Sequence, residues 1–469
     1  MTVTRRTLQI TARPSAPRLF GGGGTLVGRL ARASMVAFAT HTGGAGVSYL
    51  AQLSVARAIG PDGYGNYAFV IASMAVLAYL AALGFDVSMM RFVAAYRAQR
   101  QWGLLRGVIQ YADRRAAFAG LTIIAIGLIG VVEFGHRIPV TLRTTLMVGL
   151  PLVPVWALVW IRGAVVRALG GVLTALGPDR LVREGFLILL IGGAVLAGWR
   201  LDAPRAMAAT VASGLVAFAM ASLALHWWRG VSVVPAPAEY DATSWRRTAL
   251  PLVILAVSET VMNRTGVMLL GWFELIRDAG IYSLAFNISL LVLLPRTALN
   301  ALFAPVVAEL FARGDRAALQ TVIVRTAWWT LLGATCVALP LWLLAHPLMR
   351  LFGPGFSGGV AALRILLLGQ VFASAAGPQL SLLTMTGHER SAMVLQTAAV
   401  VLGLVVAVAF ILGAGLNGAA LAAMLAQFGL TVALAILTWR RLNLALGVIA
   451  LFVLGSSSPR KSLPQAENL

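Results

Sequence analysis

The sequence predicts an all-α protein that crosses a membrane about twelve times, in two similar halves. Three observations carry that expectation. Hydrophobic residues make up 59% of the 469 positions and charged residues 11%, with a mean hydropathy of +0.86. Soluble domains show about a quarter charged residues. Apolar windows also recur at the length that spans about 30 Å of hydrocarbon, roughly 20 residues each. Finally, a short segment is echoed at a constant offset of 215: ARAIGPDGYGNYAFV (56–70) falls on FELIRDAGIYSLAFN (273–287), with Gly65 over Gly280 and Tyr67 over Tyr282. The register persists to RFVAAYRAQRQWGLL (91–105) over VVAELFARGDRAALQ (306–320). Membrane transporters are commonly built from two such repeats.

Taken in order, residues 1–32 form a basic arm with no acidic residue before Asp62. Thr4-Arg5-Arg6-Thr7-Leu8 looks like a twin-arginine signal, but Ala12-Arg13-Pro14 and Gly21 to Gly24 follow where an apolar core should stand. The arm therefore reads as disordered and cytoplasmic, in contact with anionic headgroups. Six spans follow within 33–228, at 33–56, 65–85, 115–134, 144–168, 185–200 and 206–228. A cytoplasmic linker at 229–247 leads to six more within 248–440, at 248–272, 279–303, 326–346, 362–386, 391–412 and 416–438. The last two lie in one charge-free run, split at Gly413-Ala414-Gly415-Leu416-Asn417-Gly418. In the tail at 441–469, the apolar piece 442–454 is too short to span and reads as interfacial, and the rest as disordered. Nothing alternates with the period of two that a membrane barrel needs, so the spans are helices.

The net charge of +21 suggests nucleic acid, but its distribution does not. With the N-terminus inside, 28 of the 37 cations fall on the cytoplasmic side and 8 on the other, leaving Arg264 within a span. This is the positive-inside pattern of an even number of spans with both termini in the cytoplasm. Cys336 stands alone in an apolar span, which excludes a disulfide framework or a thiolate metal site. No paired carboxylates, nucleophile elbow, phosphate loop or metal-spaced His/Cys cluster occurs, so the sequence offers no catalytic or metal site and no cofactor.

On the residues of ARAIGPDGYGNYAFV, the Gly84-Phe85 turn before RFVAAYR, and NRTGVMLLGWF with DAGIYSLAFN, the chain resembles the polysaccharide-transporter branch of the MOP superfamily. That branch contains the Wzx-type O-antigen and other oligosaccharide flippases. LPLWLLAHPLMRLFGPGFSGGVAALRILLLG, LLTMTGHERSAM and GAGLNGAALAAM are similar to its later turns, and the likeness covers roughly 33–440. The resemblance implies two six-helix lobes around a central cavity, open to one side of a bacterial inner membrane at a time. It also implies a non-enzymatic transporter of an oligosaccharide on a polyprenyl pyrophosphate, a precursor of O-antigen, capsule or exopolysaccharide. Its partners would be the phospholipid bilayer and glycan polymerases or glycosyltransferases, with no nucleic acid. Two alternatives stay open: a multidrug or cation antiporter of the same superfamily, and a membrane glycan polymerase or ligase. The first is disfavoured because the acids of spans one to six, Asp62, Asp86, Asp113, Glu133, Asp179, Glu184 and Asp202, read as lying in loops or at ends. The second lacks a large extramembrane loop.

A cavity for such a substrate needs polar walls for hydroxyls and cations for phosphates. The seventh span supplies Ser258, Glu259, Asn263 and Arg264 within two turns. Charges at the bilayer centre cost at least about 2.5 kcal/mol each, so they are kept where they face water, a partner or a substrate. Glu259 and Asn263 are i,i+4, whereas Arg264 is offset by about 140° and cannot neutralise Glu259 along one stripe. Arg264 either contacts substrate or pairs with a neighbouring helix. Asn263 stands where many relatives carry an acid, which weakens a carboxylate ion site there. Arg91, i,i+5 from Asp86, meets phosphate on entry or merely snorkels. Arg296, beside Pro295, is in the same position in the second half. Glu259 and His41 are the candidates for ion coupling, although His41 and Gln52, three turns apart on one face, also suit a hydrogen bond between helices. The segment 97–115 reads as an interfacial amphipathic linker. The repeated Gly-x-Tyr turn reads as a mark of duplication and not as a substrate site.

Overall fold

A computed structural model describes residues 26–232, 234–442 and 444. Most of the basic arm and the tail beyond 444, including the interfacial piece expected at 442–454, lie outside the described residues.

The first helix, α1 (Leu26–Ala82), is two arms divided at Gly60, which adopts φ 70° and ψ 178°. Glycine takes this left-handed φ without steric penalty, and Pro61 suits the first turn of the arm that follows. Tyr64 Oη donates to Gln52 Oε1 at 3.5 Å, twelve residues away. A straight helix would separate them by about 18 Å, so the second arm folds back along the first. After a left-handed step at Leu83 and Gly84, α2 (Phe85–Ala98) continues the second arm. Next come α3 (Trp102–Phe134), then α4 (Val140–Gly149) and α5 (Leu152–Leu169) as one span interrupted at Pro151. The helix α6 (Val172–Gly177) passes through a π turn at Pro178–Val182 into α7 (Arg183–Leu196), and α8 (Ala203–Ser232) completes the first half.

The second half opens with α9 (Ala242–Trp272). A 3₁₀ turn at Leu290–Leu293 joins α10 (Ile276–Ser289) to α11 (Leu294–Arg313). Then follow α12 (Arg316–Leu343), the short α13 (Ala345–Leu351), a 3₁₀ turn at Pro354–Gly359, α14 (Val360–Ala375) and α15 (Gln379–Met385). The last helix, α16 (Glu389–Leu442), is kinked at Gly415, inside the glycine-rich split expected from the sequence.

Nine helical runs among the described residues are long and apolar enough to cross a membrane. The breaks at Gly60 and Gly415 divide two of them, and the interrupted run 172–196 supplies one more, which accounts for the twelve expected segments. Two boundaries depart from expectation. The segment 102–115 is the beginning of α3 and not a separate interfacial linker. The fifth span begins at 172 and not at 185, because Asp179, Arg180, Arg183 and Glu184 lower its hydropathy although the backbone stays helical.

Packing is made by small residues. Ala51, Ala56, Ala72, Ala78, Ala81 and Ala82 are fully buried, letting helices approach closely, while Val132, Leu196 and Leu412 are exposed on the outside. This is how helices pack in lipid, where the apolar exterior needs no water-soluble cover. The connection between the halves is strapped to α3. Glu239 N–H donates to the Gly103 carbonyl at 3.0 Å, Arg106 donates to the Ala236 carbonyl at 3.1 Å, and Tyr240 Oη donates to Gln110 Oε1 at 2.9 Å. Just beyond, Trp245 Nε1 donates to Tyr96 Oη at 2.9 Å.

Candidate functional site at the junction of the halves

At the cation-poor face the two copies of the echoed segment meet each other. A Cβ on Gly65 would lie 1.8 Å from the Ile276 carbonyl oxygen, and one on Gly280 would lie 2.7 Å from the backbone nitrogen of Gly65. The repeated glycines therefore let the second arm of α1 and α10 touch backbone to backbone. The turn after α13 adds to this seam: Phe352 packs edge-on against Tyr49 at 5.3 Å, and Phe356 against Tyr64 at 6.1 Å. Arg57 Nε donates to the Leu351 carbonyl at 2.5 Å, and the exposed Arg277 and Asp62 stand 3.9 Å apart. Asn287 Nδ2 donates to Gln52 Oε1 at 2.8 Å, so Gln52 serves a hydrogen bond between helices of opposite halves. His41, half-buried, lies within electrostatic range of Arg180 and Arg167.

Charged groups from both halves come within electrostatic range of one another and form a polar cluster, the chamber. From the first half comes Arg183, bonded to Glu184 at 2.7 Å and to Asp179 at 3.5 Å, with its guanidinium 5.3 Å from the Trp156 ring centre. From the second half comes Arg264, half-buried and within range of Arg183, Tyr64 and Tyr79. Arg264 has no ion pair or hydrogen bond among the described residues. Tyr79 is stacked on Trp160 at 4.3 Å and lies within range of Asp86, Glu259, Asp179 and Arg180. Glu259 is exposed and within range of the half-buried Arg296.

The candidates of the seventh span thus separate. Arg264 and Glu259 both lie within electrostatic range of Tyr79 of the first half. Asn263 lines a small cleft inside the second half, with Met262, Phe286, Gln370, Met424 and Gln427. Ser258 is buried in α9. Arg296 joins the chamber through Glu259. Arg91 is exposed on α2 and stands apart, while Asp86 beside it is buried and within range of Arg167.

One expectation is overturned in part. Asp113 lies well inside α3, and Asp86, Asp179 and Glu184 stand in first turns of continuous helical runs, at element ends as expected but buried or half-buried and not in loops. Hydropathy windows hid the chamber's acids, because Pro178 and four charges made the start of the fifth span look like a loop. The i,i+4 spacing of Asp179 and Arg183 was the available signal.

No family model and no curated protein matches this sequence. Solved structures do. One, described as the inward-facing conformation of a multidrug resistance MATE family transporter of the MOP superfamily, superimposes with a TM-score of 0.70 at 15% identity, covering 88% of this chain and 96% of that one. The MATE multidrug transporter DinF-BH in complex with R6G gives 0.61 at 15% identity, over 92% and 99% of the two chains. An outward-facing multidrug resistance MATE family transporter of the same superfamily gives 0.60 at 16% identity, over 88% and 95%. The chain therefore has the fold of these MOP-superfamily transporters, across nearly all of its helical part.

Proposed function

We propose that the chain is an alternating-access transporter that moves a polyprenyl-pyrophosphate-linked oligosaccharide, a precursor of O-antigen, capsule or exopolysaccharide, across the bacterial inner membrane. The observation that carries this reading is Arg264: a guanidinium inside a membrane-spanning helix, within electrostatic range of the other half, with no ion pair among the described residues. Such a group is costly in a bilayer unless an anion or water satisfies it, and a planar guanidinium suits phosphate oxygens in a fork geometry. Tyr64 and Tyr79 add hydroxyls and ring faces beside it, and Glu259 with Arg296 continues the polar wall. The seam at Gly65 and Gly280 closes the cation-poor face. The higher similarity to an inward-facing structure, 0.70 against 0.60, supports an opening toward the cation-rich, cytoplasmic side.

The test is Arg264→Ala in a host whose surface glycan depends on this protein. Surface glycan should fall at least about ten-fold, the loss expected for one charge-assisted contact, with lipid-linked precursor accumulating and protein still in the membrane. Unchanged surface glycan would remove Arg264 from the site. A second reading, a multidrug or cation antiporter, draws on the helical acids Asp179 and Glu184 and on the solved neighbours. Dye efflux that depends on Glu184, with glycan export unaffected by Arg264→Ala, would favour it.

A further inference from the structure

We propose that the first half holds a binding site for the phosphate of an anionic phospholipid with a hydroxylated headgroup, in the crevice over α5 between α3 and α8. This site is separate from the chamber and does not depend on the transport reading. Both α3 and α8 pack on α5. Arg162 of α5 bonds Asp113 of α3 at 3.4 Å, donates to Ser222 Oγ of α8, and sits 4.4 Å from the centre of the Phe218 ring. Arg229, in the last turn of α8, lies within electrostatic range of both Asp113 and Arg106 of α3. Arg162 and Arg229 thus lie near Asp113, with Arg106 within range of Arg229, so three guanidinium groups share this region with one bonded carboxylate.

The donors are already in place. Arg106 is held by the Ala236 carbonyl through Nη1, yet its Nε is buried with no partner, and so is the Nε of Arg162. Buried donors almost always have partners, so unmatched guanidinium nitrogens on the packed helices α3 and α5 point to a ligand that accepts. A phosphodiester supplies acceptor oxygens and one negative charge. The Oδ1 of Asp113 is likewise buried and unpartnered, and it needs a donor, which a hydroxyl on the headgroup provides. Depth agrees with a lipid source. Arg229 and Arg106 lie near the helix ends of the cation-rich face, and Trp227 beside them is 58% exposed, an amphipathic ring suited to the headgroup level. Basic pockets between helices on that side of a membrane protein are the usual seats of anionic headgroups.

The test is native mass spectrometry of the full chain in uncharged detergent, titrated with phosphatidylglycerol or phosphatidylcholine. The wild type should retain one phosphatidylglycerol in preference to phosphatidylcholine. Arg106→Gln with Arg229→Gln should weaken that binding at least about ten-fold, as expected for two charge-assisted hydrogen bonds. Arg246→Gln with Arg247→Gln, exposed on the same face, should leave it unchanged. Thermal unfolding checks that each variant is folded, and Arg229→Gln alone serves if the double variant is not. Equal retention in the Arg106/Arg229 variant overturns the proposal, as does equal loss in the Arg246/Arg247 variant, which would mean diffuse attraction. Protection by inorganic phosphate with no lipid retained overturns the lipid assignment in favour of a soluble anion.

Discussion

The halves of this molecule meet in two ways, and the two differ in symmetry. At the seam like meets like: Gly65 lies against Gly280, each the counterpart of the other in the echoed segment. In the chamber unlike meets unlike: Arg183 is held by Asp179 and Glu184, whereas Arg264, within its electrostatic range, has no ion pair among the described residues. At the offset that aligns the glycines, Arg264 falls on Tyr49, a residue packed against Phe352 in the seam. The contact joins matching positions of the echo, and the charge stands where the positions differ. Structure and chemistry occupy neighbouring layers of the same interface but come from opposite properties of the repeat.

Four tests break or sharpen that contrast. Arg183→Ala leaves Asp179 and Glu184 facing an empty space, and loss of one partner from a buried pair costs about 3–5 kcal/mol. Its thermal midpoint should fall sharply and recover in part with Glu184→Gln, whereas Arg264→Ala, which orphans no carboxylate, should unfold like the wild type. Equal melting losses in both would remove the distinction drawn between them. Gly65→Leu places a branched side chain where the Ile276 carbonyl stands, and overpacking of this kind costs about 3 kcal/mol. The thermal midpoint should fall accordingly, and unaltered melting would mean the glycines are not in contact. Gln52→Ala and Asn287→Ala should couple by about 1 kcal/mol in a double-mutant cycle, since their bond spans the halves; additive effects would contradict it. Asp62→Ala should change stability by about 0.5 kcal/mol or less, because Asp62 and Arg277 are both largely exposed.

Much of the fold was legible because lipid imposes a simple rule on it. Apolar length located the spans, and the glycine-rich split at 413–418 marked the kink at Gly415. Arg264 was also legible, since a charge inside a span demands a reason. What the sequence concealed is what depends on three-dimensional pairing. Asp179 and Glu184 looked like loop acids because charge counts against hydropathy whether or not it is neutralised. Segment 102–115 looked like a surface linker because the amphipathic start of a long helix has the same pattern. Asn263 was grouped with Arg264 by proximity along α9, yet it lines a cleft within its own half, since neighbouring residues on a helix point about 100° apart. That Gly65 and Gly280 touch could not follow from their alignment alone, because a repeat relates positions without saying that they meet.

The strap from Ala236 to Tyr240 along α3 has a mechanical consequence. A joint bonded along one edge removes sliding and leaves turning about that edge as the inexpensive movement. The two halves then behave as a door on its post, with a single angle as coordinate. The gap at the Gly65–Gly280 jamb and the distance from Arg183 to Arg264 cannot vary independently under that constraint. A ligand gripped by both arginines would set the width of the opening by the same rotation, and loosening the strap would uncouple the two.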